Sequence, residues 1–131
     1  MTKHTIALKA KNISAGYGEQ IIIRNISLDL YESTITTIIG PNGCGKSTFL
    51  KSISGIINPI EGDIEIYGNN VSDLNTFELS QIGLGYVPQA ENIFPSLSVE
   101  DNLKMGGYIL KIDQYKKNLD YYLTKLINLV L

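Results

Sequence analysis

Apolar and polar residues alternate through IALKAKNISAG, residues 6–16, and again through IIIRNISLDL, residues 21–30. A period of two sends successive side chains to opposite faces, so both stretches predict half-buried strands of an antiparallel sheet. Gly16 and Gly18 mark the turn between them. TITTII, residues 34–39, is β-branched throughout and continuously apolar at its end, which predicts a buried strand. The pattern then changes period. Leu50, Ile53 and Ile57, with lysines between, predict a short helix ended near Asn58 and Pro59. GDIEIYG (62–68) reads as a strand between glycines, NTFELSQIG (75–83) as a short helix, and LGYVPQ (84–89) as a strand stopped by Pro88. Ser98 stands as a cap ahead of Glu100 and Asp101, so another helix begins there. From Asp113 onward Tyr115, Leu119, Tyr122, Leu123, Leu126, Ile127 and Val130 recur at helical spacing and predict an amphipathic helix whose apolar side needs a partner.

Between the predicted strand 34–39 and the helix after it lies GPNGCGKST: Gly40, Pro41, Asn42, Gly43, Cys44, Gly45, Lys46, Ser47 and Thr48. The pattern Gly-x-x-x-x-Gly-Lys-Ser/Thr after a strand and before a helix is that of a phosphate-binding loop. Glycines let the backbone curl so that successive N–H groups point inward and no Cβ blocks the phosphate. The helix that starts there adds its positive end. Lys46 is placed to reach the β- and γ-phosphates of a nucleotide, Ser47 to offer its hydroxyl to Mg²⁺, and Thr48 to hydrogen-bond a phosphate. Cys44 reads as a small residue that fits.

Composition narrows the classes. The chain has 131 residues, 44% hydrophobic and 18% charged, which suits one small globular domain. A net charge of −2 argues against non-specific nucleic-acid binding. Cys44 is the only cysteine, so no internal disulfide forms and a cytoplasmic chain is the simplest reading. The N-terminus lacks the apolar core of a signal peptide, and no apolar run approaches the roughly 18 residues of a membrane span. No direct membrane insertion is expected, and a role at a membrane must come through a partner. His4, the only histidine, reads as part of a solvated end.

SAGYG upstream of the loop, then GDIEIYG, IGLGYVPQ and IFPSLSVEDNL downstream of it, hold matching positions around the phosphate loop. Together they resemble the ATP-binding subunit of ABC transporters over nearly the whole chain. VPQAENIFPSLSVEDNLKMGGY looks most like the ATPase subunits of branched-chain amino acid importers, with urea importers close behind. The resemblance implies an α/β fold of the P-loop NTPase (ABC ATPase) type with an antiparallel β-subdomain. It implies a partial cassette: 1–33 the antiparallel portion, 34–89 the phosphate loop to the Q-loop, and 90–131 the start of a helical subdomain.

It also implies roles. Tyr17 matches the aromatic that stacks on adenine; an ordinary turn tyrosine is the other reading. Gln89 matches the Q-loop glutamine that contacts Mg²⁺ and the attacking water; a plain loop glutamine is the other. The loop 90–97, with Ile93 and Phe94, would face the transmembrane permease subunits, unless both residues are local core. ATP and Mg²⁺ are the implied cofactors, a second ATP-binding subunit the implied dimer partner, and the cytoplasmic face of the cell membrane the implied location.

The family's later motifs have no match in these residues. There is no LSGGQ-like signature, no apolar run ending in Asp-Glu, and no histidine after His4. The expectation is a chain cut within the helical subdomain that binds ATP and does not hydrolyse it alone. Two other readings remain at this stage: a soluble ABC ATPase of translation or repair, and an inert remnant.

Overall fold

The two long alternating stretches each form a strand in the structure, a computed structural model that describes residues 5–90, 92–107, 114 and 116–122. Strand β1 is Ile6–Tyr17 and β2 is Gln20–Tyr31, paired antiparallel around a turn at Gly18 and Glu19. On the other edge of β1 lies β3, Glu61–Ile66, and beyond it β4, Asn69–Asn70. The sheet order is β2-β1-β3-β4, antiparallel throughout. Tyr67 and Gly68, at φ 48° and 78°, make the tight turn that folds β4 back onto β3.

The alternation along β1 slips once, and the backbone shows why. Leu8 and Ala10 are buried, but the next buried pair is Ile13 and Ala15. Asn12, at φ 54°, inserts an extra residue, and the register shifts beside it against both neighbouring strands. Such a bulge resets which face the following residues occupy. Its polar groups are met locally: the Asn12 N–H donates to Ser27 Oγ at 2.9 Å, and the Asn25 N–H donates to Ser14 Oγ at 3.1 Å.

Helix α1, Lys46–Ile53, packs on β1 and β2 through Phe49 and Ile53. Ile64, Ile66, Val71 and Leu79 complete the core. Helix α1 stops at Ile53, well before Asn58 and Pro59. Gly55 takes φ 70°, the Ile56 N–H donates to Lys51 O at 3.0 Å, and the Gly55 N–H donates to Ser52 O at 3.3 Å. That pair of bonds around a left-handed glycine is the Schellman termination, which satisfies the last carbonyls and turns the chain away. Helix α2, Thr76–Gln81, is closed by a full capping box between Asn75 and Glu78. Helix α3, Val99–Gly106, starts on the Ser98 cap as its sequence indicates.

Two expected strands are not strands. Residues 34–39 and 84–89 form no ladder. Ile35 is 97% and Ile39 88% exposed, and Val87 is also exposed. β-branched residues favour an extended backbone, but a strand exists only where a second segment supplies hydrogen-bond partners. Among the described residues neither stretch pairs with a strand.

The chain divides into two compact units, Met1–Tyr86 and Val87–Leu131. The first holds the sheet, α1 and α2; the second holds α3 and helical residues 116–122. Of the amphipathic helix expected from residue 113, Leu119 and Tyr122 are described, whereas Asp113, Tyr115, Leu123, Leu126, Ile127 and Val130 lie outside the described residues, as do His4 and Glu91. Among the described residues no helix is long and apolar enough to cross a membrane.

Candidate functional site

The phosphate loop leads straight into α1. Gly45 is the N-cap of that helix, at φ 97°, and no side chain caps it. A Cβ at Gly45 would overlap Ile23 Cγ2, and its φ lies where L side chains rarely go, so only glycine fits. The Phe49 N–H donates to Gly45 O at 2.9 Å, which begins the regular helical ladder. The N–H groups ahead of it have no intrahelical acceptor. Both α2 and α3 fill the equivalent positions with a side chain, Asn75 and Ser98. The N-terminus of α1 is left open to an external acceptor.

Lys46 sits at this opening. Its ammonium donates to Gly40 O at 2.8 Å and to Pro41 O at 2.7 Å, and lies 3.8 Å from Cys44 Sγ. The cation thus arches over the loop from its far end. Ser47 is exposed, whereas Thr48 is buried against the core. Asn42, Gly43 and Cys44 are exposed on the rim, with Gly43 at φ 82°. A cavity of about 220 Å³ opens beside the loop, lined by Cys44, Gly45 and Lys46 and by apolar Ile26, Ile38 and Phe49.

This donor set fits a polyphosphate. It combines free N–H groups, a helix N-terminus, a flexible ammonium and an exposed hydroxyl, and residues 40–48 hold no carboxylate to oppose an anion. Among the described residues no cluster of three or more His, Cys, Asp or Glu could hold a metal by itself. Mg²⁺ typically keeps waters and binds through few protein ligands plus substrate phosphates, so a lone serine hydroxyl suits it better than it would suit a self-contained metal centre.

Tyr17 lies at the end of β1, 50% exposed. The Lys51 ammonium, on α1, is 3.5 Å from its hydroxyl and 5.8 Å from its ring centre. The structure therefore joins Tyr17 to the helix that carries the phosphate loop. The sequence pattern shows Lys51 only as a polar residue of that helix. Gln89 is exposed and belongs to the second unit. Ile93 and Phe94 are 63% and 53% exposed, so neither is core of its unit. Asn102 is a residue that the sequence pattern passes over. It bonds back to the loop before α3 through both ends of its amide.

The sequence pattern of the ABC transporter family matches residues 23–129. The chain belongs to that family. Over 113 residues it is 35% identical to a probable branched-chain amino acid transport ATP-binding protein LivF of Archaeoglobus fulgidus, covering 86% of this chain and 48% of the relative. It is 34% identical to the maltose/maltodextrin import ATP-binding protein MalK of Vibrio cholerae serotype O1, over 85% of this chain and 30% of that one. Among solved structures it resembles a dimeric ATP-binding cassette in a post-hydrolysis state bound to ADP and Pi. That likeness has a TM-score of 0.68 at 30% identity and covers 86% of this chain and 53% of the other. The ABC chain thus spans about half the length, or less, of the relatives it matches.

Proposed function

We propose that this ABC chain is the nucleotide-binding portion of an importer ATPase, which energises transport by binding and hydrolysing ATP in its full-length form. The observation that carries this reading is the open N-terminus of α1, with Gly45 as its uncapped first residue and the Lys46 ammonium arched across the loop. ATP is the ligand assigned to it. Gly40, Pro41, Asn42, Gly43, Cys44, Gly45, Lys46, Ser47 and Thr48 form the phosphate site: Lys46 acts by charge, Ser47 and Thr48 by hydroxyl, the glycines, Asn42 and Cys44 by backbone N–H, and Pro41, which has no N–H, by shaping the loop. Tyr17 stacks on the adenine, which gives affinity with little discrimination among bases, since every base has a π-face. Ser47 and Gln89 are the protein ligands assigned to Mg²⁺, and Gln89 also orients water. The ion supplies charge neutralisation at the phosphates.

The proposed organisation is an antiparallel portion over 1–33, a nucleotide portion over 34–89 and the start of a helical subdomain over 90–131. Transmembrane permease subunits are the partner assigned to the loop after Gln89, which supports a place at the cytoplasmic face of the cell membrane. A second ATP-binding subunit is the other partner, and the dimeric state of the solved cassette supports it. Branched-chain amino acids are the proposed cargo. The stretch 87–108 and the LivF relative support them, and MalK marks maltose as the competing solute class.

Phosphoryl transfer to water needs phosphate positioning, metal and a group that orients the water. These 131 residues offer the first through 40–48 and part of the rest through Ser47 and Gln89. The chain alone is expected to bind Mg-ATP without sustained turnover. Steady-state phosphate release from the purified chain tests this, with Lys46→Ala as the control for contaminating ATPases. Turnover that vanishes in the variant would refute the binding-only half of the reading.

A further inference from the structure

The segment ahead of α3 is held by one side chain. Asn102 lies in the first turns of α3, half-buried. Its Oδ1 accepts the Phe94 N–H at 2.7 Å. Its Nδ2 faces three carbonyl oxygens, Phe94 at 3.0 Å, Leu97 at 3.3 Å and Ser98 at 3.0 Å. Only the bond to Ser98 O runs along the helix; the others reach back to the loop. The amide's two protons are thus shared among three acceptors, and all its polar capacity is turned inward.

The loop has its own bond as well. The Leu97 N–H donates to Phe94 O at 3.1 Å, closing a four-residue turn with Pro95 in its second position, where the fixed φ of proline suits a turn. Phe94 therefore has both its N–H and its C=O held by Asn102, while its ring stands exposed beside exposed Ile93. An apolar side chain on an anchored backbone loses less freedom when a partner covers it.

We propose that Asn102 is a positioning residue, which locks the 94–98 turn onto α3 so that Ile93 and Phe94 meet a transmembrane partner as a preformed apolar pair. The partner in this statement rests on the reading given under Proposed function; the lock does not. A residue that merely stabilises α3 would make its bonds along the helix, and Asn102 makes most of them to the loop.

The test is hydrogen exchange on the full 131-residue chain, read by mass spectrometry on peptides covering 92–97 and 103–107. Asn102→Leu, of similar volume and without polar atoms, should speed exchange in 92–97 by about tenfold and leave 103–107 unchanged. Asn102→Asp keeps the acceptor for the Phe94 N–H and should show a smaller increase. Equal acceleration of both peptides in both variants, or none in either, would overturn the lock. A second arm presents the immobilised chain with detergent-solubilised permease subunits of a branched-chain amino acid importer. Capture by wild type that falls about tenfold in Asn102→Leu supports the presentation role. Failure of wild type to capture them overturns the partner reading, whatever the exchange arm gives.

Discussion

The Lys51 ammonium lies 3.5 Å from the Tyr17 hydroxyl and 5.8 Å from the centre of the Tyr17 ring, so a hairpin turn and the phosphate-loop helix share a contact. The two residues are 34 positions apart. A base stacked on Tyr17 and phosphates bound at the start of α1 would then be held at a spacing that the sheet and this contact set together. Tyr17→Ala should weaken nucleotide binding by about 1–3 kcal/mol, the usual worth of one stacked base. Tyr17→Phe keeps the ring and should cost little. Lys51→Met keeps the aliphatic stem and removes the charge, and should cost no more than about 1 kcal/mol, as an exposed cation–π contact does. Calorimetric titration with Mg-ATP ranks the three variants, and equal losses for Tyr17→Phe and Tyr17→Ala would contradict stacking.

The exposed β-branched stretch 34–39 makes a second expectation. Ile35 and Ile39 stand in water at 97% and 88% exposure in a β-branched segment without a ladder. Unpaired extended apolar segments recruit other strands. The isolated chain should scatter light increasingly with concentration. Ile35→Lys with Ile39→Lys should suppress that scattering and change the melting temperature little, because neither side chain is packed. Unchanged scattering would place the cause elsewhere.

How much of this could be seen in the sequence differs element by element. The β1–β2 hairpin was legible because half-buried antiparallel strands alternate, whereas the Asn12 bulge was read through as part of that alternation. The cap at Ser98 was legible because its local hydrogen bond is fixed by spacing alone, while the box from Asn75 to Glu78, built on the same spacing, was passed over. The end of α1 was misplaced toward Pro59, although Gly55 carried the signal: a glycine after a helical run is the usual left-handed terminator. The stretches 34–39 and 84–89 misled because strand propensity is local while strand pairing is not. At the site, the loop 40–48 was legible as a motif. The contacts of Lys51 and Asn102 were not, since each depends on what a fold or turn brings within reach of a common residue type.

The start of α3 should respond to acid. Asp101 accepts from the Ser98 hydroxyl at 2.7 Å and from Lys104 at 3.3 Å, and these contacts, the serine first, hold its carboxyl below the ordinary value of 3.8. A depressed carboxylate adds stability that is complete above its unfolded value and lost as pH falls through the folded one. Lys104, bonded to Glu100 at 2.9 Å and to Asp101, is raised above its ordinary 10.5. Its contribution is complete below that value and lost as pH rises through the folded one. Carbon chemical shifts of residues 99–106 should therefore be most helical across neutral pH and drift toward coil below pH 3.8. Asp101→Asn should flatten the acid limb, and a wild-type limb that survives in the variant would rule out Asp101 as its source.

The central claim is that the open N-terminus of α1 and Lys46 bind the phosphates of ATP. Calorimetric titration of the 131-residue chain with Mg-ATP, beside Lys46→Ala, measures this directly. Each charge-assisted hydrogen bond lost is worth about 1.5–3 kcal/mol. Losing the Lys46 contacts should therefore weaken affinity by about tenfold or more. The variant should keep a melting temperature close to wild type, because the ammonium bonds to exposed groups of its own loop, the Gly40 and Pro41 carbonyls and the Cys44 sulfur. Saturable binding that collapses in Lys46→Ala while the fold persists is the result predicted. Equal affinity in the two proteins would contradict the account.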